Sequence, residues 1–367
     1  MSSDPLRGAM ADSFEKAPRH QRFDAPSSKG HAMTHDPILF VGGSGIVGRK
    51  AARYLRDAHP EAPLLIGGRD PGRAQAVAAE IGNAEGVAVD LSAPDLGLGD
   101  RPVSALALFF KDDAIACLRF AQSRGIPYLS ISSGVHEIGP EVAAYMHAPT
   151  ASPVVLGAEW LVGATTVPAM LAARAFLAID TVRISAIIDE QDVGGAATDA
   201  DMERLTRTMP AALTVQDGNY RWRTGDDAQT SVVALDGTRM PAEVFSPYDV
   251  LVLANETRAR DVEFRLAVGE SSSRRRGEPL STEIIVEMSG TDNAGQGLEV
   301  RQAVVHPEGQ MPLTGLGVAM VMERLAGLQG VAVGAGLYFP FQLIAPETYQ
   351  RRLTSMGGSI LPLQTKT

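Results

Sequence analysis

The sequence predicts an α/β protein in two parts, a parallel-sheet domain followed by a second α/β domain whose sheet is mainly antiparallel. Two observations predict it. Between Pro37 and Leu156, short apolar runs alternate with helix-spaced stretches, the signature of βαβ units. Past about Asp180, strand-like segments follow one another with turns between them instead of helices. The length of 367 residues also favours two lobes, because a single hydrophobic core usually stops growing below that size. The expected boundaries are a flexible tail over 1–35, a parallel-sheet domain over 36–160, a substrate and dimerisation domain over 161–330, and a C-terminal segment over 331–367 that packs back on the first domain.

The elements follow in order. Ile38-Leu39-Phe40-Val41 is an unbroken apolar run, as a strand buried on both faces requires, and a glycine-rich turn follows at once. Arg49 to Asp57 carries apolar residues at helical spacing, and His59-Pro60 stops it. Pro63–Gly67 reads as a second strand and 71–81 as a second helix. A third strand is expected at Val87–Asp90, a fourth at Ala105–Phe110, a helix over Ala114–Arg124, a fifth strand at Tyr128–Ile131 and a sixth at Val154–Leu156. In the second half the candidate strands are 181–188, 220–223, 250–253, 261–268, 282–289 and 298–305. Among these, Asp261–Val268 and Glu283–Met288 alternate polar and apolar residues, as a sheet with one wet face does. Ser271–Gly277 reads as an exposed basic loop, and Thr314–Leu328 as a helix.

Composition excludes several classes. Hydrophobic residues make up 45% and charged residues 21%, average globular usage. A formal net charge of -10 disfavours nucleic acid as a partner, because binding its phosphates needs a basic face. No apolar stretch has the roughly 20 residues of a membrane-spanning helix. Residues 1 to about 35 lack the apolar core of a signal peptide and read as a tail, or as an upstream start preceding Met33. The single cysteine, Cys117, sits in an apolar run as a core residue, so no disulfide or thiolate metal site is expected and a reducing cytoplasm is the expected location. No metal is expected: His31 and His35 lie in the tail, His136 and His147 are too far apart for a helical pair, and no HExxH-type spacing occurs.

The turn after the first strand, Gly43-Ser44-Gly45-Ile46-Val47-Gly48, is a weak pattern alone. Its place between an apolar strand and an amphipathic helix makes it a dinucleotide-binding, Rossmann-type fingerprint. Gly43 would allow the tight turn, Gly45 the approach of a pyrophosphate and Gly48 close packing of helix on strand. Free N–H groups and the positive end of the helix dipole would attract the anion. At the end of the second strand, where an acidic residue would bind the ribose of NAD, stands Arg69, with Arg73 one turn on. Guanidinium forks suit a 2′-phosphate, so NADP(H) is the expected cofactor, with a hydroxyl contact from Ser44. The alternative is that Arg69 is a surface residue at a helix start and Asp70 takes the ribose. Asp90 is placed either to contact adenine or to cap its loop.

Beyond the fingerprint, GGSGIVGR (42–49), GGR (67–69), GIPYLSISSG (125–134), VVLGAEWLVGATTVPAMLAARAF (154–176), VQDGNYR, SPYDVLVLA, GTDNAGQG and the final GLYFPFQLIAPETYQRRL occur in one order. In these motifs the chain resembles the saccharopine dehydrogenase (saccharopine reductase-like) family of NADP-binding oxidoreductases over most of 37–360. The resemblance implies a second domain built on an antiparallel sheet, substrate bound in the cleft between the domains, and hydride transfer that reduces an imine or runs the reverse oxidation of a secondary amine. The chain departs from the family at Phe110-Lys111-Asp112-Asp113, where a short Gly-Pro turn is common, and at Ser130 or Ser132, where an acidic residue is common.

Ligands in an open α/β sheet bind beyond the carboxyl ends of the strands. There stand Phe110 and Lys111 after the fourth strand, Ser132 and His136 after the fifth, and Glu159, Trp160 and Thr165 after the sixth. His136, or Lys111 if burial lowers its pKa, can serve as the proton donor that a reductase needs, with His136 slightly preferred of the two, although a partly exposed loop histidine is the stronger reading of His136. Lys111 can instead hold the nicotinamide ribose. Phe110 and Ser132 would line the cofactor, and Glu159, Trp160 and Thr165 the substrate pocket. The rival readings are an NADP-binding sensor or scaffold without chemistry, and an enzyme that uses nicotinamide transiently without net redox change. Edge strands of the second sheet could pair across a two-fold axis, so a homodimer is expected.

Overall fold

The computed structural model describes residues 36–208 and 211–364; the expected tail, with His31 and His35, lies outside the described residues. The first half builds β1 (Ile38–Val41), α1 (Ile46–Ala58), β2 (Leu64–Gly68), α2 (Pro71–Ile81), β3 (Ala84–Ala88), β4 (Ala105–Leu108), α3 (Ala116–Arg124), β5 (Tyr128–Ser130), α4 (Gly139–His147) and β6 (Pro153–Leu156). Alternate residues of β1 enter different clusters: Ile38 and Phe40 pack on one face of the sheet, Leu39 and Val41 on the other. That is why the run has no polar alternation. The third strand lies three residues earlier than expected. As the outermost strand it is placed by backbone register with β2, Leu64 opposite Ala84, and not by its own apolar residues.

The second half adds α5 (Thr166–Ala173), β7 (Phe176–Asp189), α6 (Ala196–Thr208), β8 (Ala211–Gln216), β9 (Asn219–Thr224), β10 (Gln229–Val233), β11 (Arg239–Phe245), α7 (Asp249–Thr257), β12 (Asp261–Gly269), α8 (Ser272–Arg275), β13 (Thr282–Asp292), β14 (Gly297–His306), α9 (Met311–Leu325), β15 (Gly336–Tyr338), α10 (Pro346–Ser355) and β16 (Ser359–Pro362). The first sheet has the order β15-β6-β5-β4-β1-β2-β3 and every pairing in it is parallel. The second has a path β10-β11-β12-β7-β13-β14-β16, with β8 and β9 attached through β12. Its pairings are antiparallel except β7 with β12. This is the expected α/β class, with a Rossmann-type sheet and a second, mainly antiparallel one.

Two expectations are corrected. Val250–Leu253 is not a strand but part of α7. A four-residue apolar run has no period of its own, and the buried positions Asp249, Val250, Val252 and Leu253 fall on one helical face. Ser271–Gly277 is not an exposed loop either. Ser271, Ser272 and Ser273 are buried, their hydroxyls bound to Asp189, Glu283 and Ser281 respectively, and Arg274 and Arg275 pair with Asp189 and Asp236.

α9 is apolar nearly all round and buried along its length, as a helix enclosed by protein must be. Its side chains join one continuous cluster running from the inner face of the first sheet to Val182, Ile184, Ile284 and Val286 of the second. The carboxylate of Glu323 on α9 accepts two hydrogen bonds from Nη1 of Arg352 on α10, at 2.6 and 2.7 Å, while Nη2 of Arg352 donates to the Tyr54 carbonyl on α1.

Candidate dinucleotide site

The first sheet changes direction of growth between β1 and β4, and the crevice outside that switch point is where such folds take ligands. Beyond β1 the chain turns at Gly42, whose φ of 85° is left-handed, and its N–H donates to the Gly67 carbonyl at 2.8 Å. The turn residue is therefore Gly42, one place before the glycine expected. Gly43 serves close packing: a Cβ there would stand 2.7 Å from the Phe40 carbonyl oxygen. A Cβ on Gly48 would stand 2.6 Å from the Gly43 Cα, so only a bare Cα lets α1 sit this near the loop. Gly45 faces a more open side, with the Gly42 carbonyl oxygen at 3.2 Å its sole close neighbour.

α1 starts with Gly45 at its N-cap, no capping side chain and no acidic residue in its first turn. Its leading N–H groups and dipole thus meet no internal anion. Ile46 is exposed and Val47 packs partly on the core. At the end of β2, Arg69 is exposed and forms no hydrogen bond or ion pair among the described residues. Nη2 of Arg73 donates to the Ser44 carbonyl at 3.3 Å, so its guanidinium lies against the glycine loop. Asp70 is occupied as the N-cap of α2, its Oδ1 accepting from the Arg73 N–H at 3.0 Å. Asp90 lies past the end of β3 and takes the N–H and hydroxyl of Ser92; these bonds hold its carboxyl below the usual range.

Across the crevice, the Phe110 ring covers Gly42: a Cβ on that glycine would meet it at 2.9 Å. Nζ of the half-buried Lys111 donates to Ser133 Oγ at 3.2 Å. Asp112 is a helix cap, accepting from the N–H groups of Ala114 and Cys117 at the head of α3. Cys117 is buried, and burial together with the nearby Asp112 pushes its thiol pKa up, against reactivity. Ser132 is buried, and its carbonyl accepts from Arg204 on α6. His136 points elsewhere. Its ring stacks on Trp222 with centroids 4.6 Å apart, and Nε2 lies 3.4 Å from the Ala211 carbonyl of β8.

Glu159, Trp160 and Thr165 come together in the interior around Asp249, which the sequence reading missed. The backbone N–H of Trp160 donates to Asp249 Oδ2 at 2.6 Å, and the Thr165 hydroxyl to Oδ1. Glu159 accepts from the Thr166 hydroxyl. Asp249 is fully buried and its carboxyl is pushed up to about 7, chiefly by desolvation; Glu159 is raised by burial and then by the charge of Asp249. Also missed were Glu141, which accepts from Ser130 Oγ at 2.7 Å, and the pair Glu137 and Arg204. Glu141 thus brings a carboxylate to Ser130, at the end of β5. Among the described residues no cluster of three or more His, Cys, Asp or Glu could hold a metal, and no helix is long and apolar enough to cross a membrane.

No family model matches the chain, and no curated protein matches it in sequence. Solved structures match it in shape. Apo saccharopine dehydrogenase (L-Glu forming) from Saccharomyces cerevisiae aligns with a TM-score of 0.57 and 11% identity, over 90% of this chain and 100% of that one. A myo-inositol dehydrogenase from Corynebacterium glutamicum aligns with a TM-score of 0.45 and 12% identity over 90% and 99%. The Lactobacillus casei myo-inositol dehydrogenase, solved with NAD(H) and myo-inositol, gives 0.44 and 11% over 90% and 98%. The resemblance read in the motifs and the likeness in shape meet on one structure: this chain shares the fold of saccharopine dehydrogenase.

Proposed function

We propose that the protein is an NADP(H)-dependent oxidoreductase of saccharopine dehydrogenase type, acting on an imine or carbonyl of a small metabolite or, in reverse, on a secondary amine. The observation that carries the reading is the head of α1: an uncapped helix N-terminus with Arg73 laid against its glycine loop, Arg69 unpaired beside it among the described residues, and the neighbouring carboxylate of Asp70 already used as a helix cap. This set of donors fits a dinucleotide with a 2′-phosphate. Gly45 leaves room for the pyrophosphate, the first N–H groups of α1 bind it, and the two arginines bind the phosphorylated ribose. When bound, the nicotinamide supplies or takes up the hydride.

Between the two candidates for proton donor, the geometry favours Lys111. Its ammonium stands beyond β4, held by Ser133, while the His136 ring is engaged with Trp222 and a carbonyl of the second sheet. Phe110, lying on Gly42, forms the apolar floor between loop and donor. Titration of the full chain with NADPH and NADH, followed by a panel of amines and carbonyls read by NADPH absorbance, tests the proposal. NADPH is expected to bind at least about tenfold tighter, a difference of about 1.4 kcal/mol. Equal affinities would remove the role given to Arg69 and Arg73.

A further inference from the structure

α6 crosses the crevice. The turn before it touches the glycine loop: a Cβ on Gly195, whose φ is 81°, would stand 2.8 Å from Ile46 Cδ1, so the Ile46 side chain lies against the bare Gly195 backbone. Eight residues into the helix, Arg204 reaches the segment after β5. Its Nε donates to Glu137 Oε1 at 2.8 Å and its Nη2 to the Ser132 carbonyl at 2.7 Å and Glu137 Oε2 at 3.2 Å, while Nη1 binds Asp201 on the same helix. A helix of 13 residues is about 20 Å long, enough to bridge the strand ends of the first sheet. Arg204 and Glu137 are about five-sixths buried, at 17% and 16% side-chain exposure, so solvent screens this pair little.

The segment leading into α6 has a firm anchor followed by two glycines, the carbonyl of Gly194 accepting from the Thr198 hydroxyl at 3.0 Å. Asp189 at the end of β7 takes the N–H and hydroxyl of Ser271, and Asp192 takes the Gln310 N–H at 2.8 Å. Past that anchor Val193 is exposed, and Gly194-Gly195 has two Cα atoms without side chains. The contacts on the far side of the glycines are polar, Arg204 on Glu137 and on the Ser132 carbonyl.

We propose that α6 is a lid over the dinucleotide crevice, pivoting at Gly194-Gly195 and latched by Arg204 on Glu137 and the Ser132 carbonyl. Closed, as here, its leading turn rests on the exposed Ile46, and Arg204 holds the segment that carries Ser133, the partner of Lys111. Opening breaks the Arg204 contacts and frees the approach to the α1 N-terminus. The inference rests on the proposed cofactor reading, and Arg204 acts in it as a positioning residue.

The test compares the full-length protein with Arg204→Ala, Arg204→Lys and Glu137→Gln. In stopped-flow fluorescence with NADPH, Arg204→Ala is expected to speed dissociation about tenfold and to speed association as well, with Arg204→Lys between it and the parent. In the nucleotide-free proteins, amide hydrogen exchange over 196–208 should accelerate in Arg204→Ala and Glu137→Gln while β1 and β4 keep their protection. Unchanged exchange over 196–208 in both variants, or unchanged NADPH rates, overturns the lid. A parent protein that binds no NADPH overturns the cofactor reading instead. The exchange experiment needs no nucleotide and decides the latch separately.

Discussion

Arg69 and Asp70 are adjacent, yet only one of them is committed to the fold. Asp70 caps α2, whereas Arg69 makes no bond or ion pair among the described residues, so its removal should cost binding and not folding. Arg69→Ala is expected to weaken NADPH binding about tenfold, leaving NADH affinity and melting temperature nearly unchanged; isothermal titration with both nucleotides checks this. Gly48 is the opposite case. An alanine methyl there meets the Gly43 Cα at 2.6 Å, and backbone cannot swing aside as a flexible side chain can. Gly48→Ala should lower stability by about 1–3 kcal/mol in urea titration and weaken NADPH binding with it. Gly48 was legible in the sequence, because its close packing depends on neighbours within one βαβ unit. Asp249 was not legible: its partner Thr165 lies 84 positions away, and Arg204 meets Ser132 across 72. No local pattern encodes pairings at that distance. His136 shows the converse, since its position after β5 suggested the crevice and only the tertiary stack on Trp222 turns it away.

At the scale of elements, two carboxylates do work that composition cannot separate. Asp112 heads α3, whose N-cap position is taken by Ile115 in the left-handed region with no side-chain cap of its own. Asp112→Ala should therefore lower stability by about 1 kcal/mol, measured by chemical denaturation. Asp249 ties the head of α7 to the segment between β6 and α5. Its folded value of about 7 lies above the ordinary 3.8, so the folded chain holds this proton more tightly than the unfolded one. The stabilisation from the proton is full below the ordinary value and is lost as pH rises towards 7, and Glu159 is shifted in the same sense. Asp249→Asn should flatten the fall in melting temperature between about pH 4 and about pH 7, an effect on the order of a few kcal/mol. A profile as steep as the parent's would remove the assignment. Helices with caps or breakers, such as α2, were readable to the residue. α7 and α8 were not, because a four-residue run of one character fits helix, strand or turn alike.

Over the whole molecule, the shared cluster and the fully enclosed α9 join one face of each sheet, while the opposite faces pack in clusters of their own. The described chain is expected to melt in one calorimetric transition. The ion pair of Glu323 with Arg352 is part of that union, and Glu323 is only 1% exposed. Arg352→Ala removes both hydrogen bonds from the buried Glu323 carboxylate, leaving the His59 ring 3.8 Å away, and should cost roughly 3 kcal/mol, seen as a lower midpoint of the same single transition. The class of each sheet was legible from its alternation or lack of it. That α9 would unite the two was not, because an all-apolar helix does not say which surfaces enclose it.

The place of β15 has one more consequence. This outermost strand of the parallel sheet lies beside β6, although every strand of the second sheet except β16 is encoded between Leu156 and Gly336. During synthesis the nascent amino-terminal lobe therefore leaves the ribosome with the amide and carbonyl row of β6 bare until that late triplet emerges. A stalled or prematurely terminated product would keep this raw border, ready to join another unfinished copy, so the cell's holding chaperones have their longest task at the strand that is finished last.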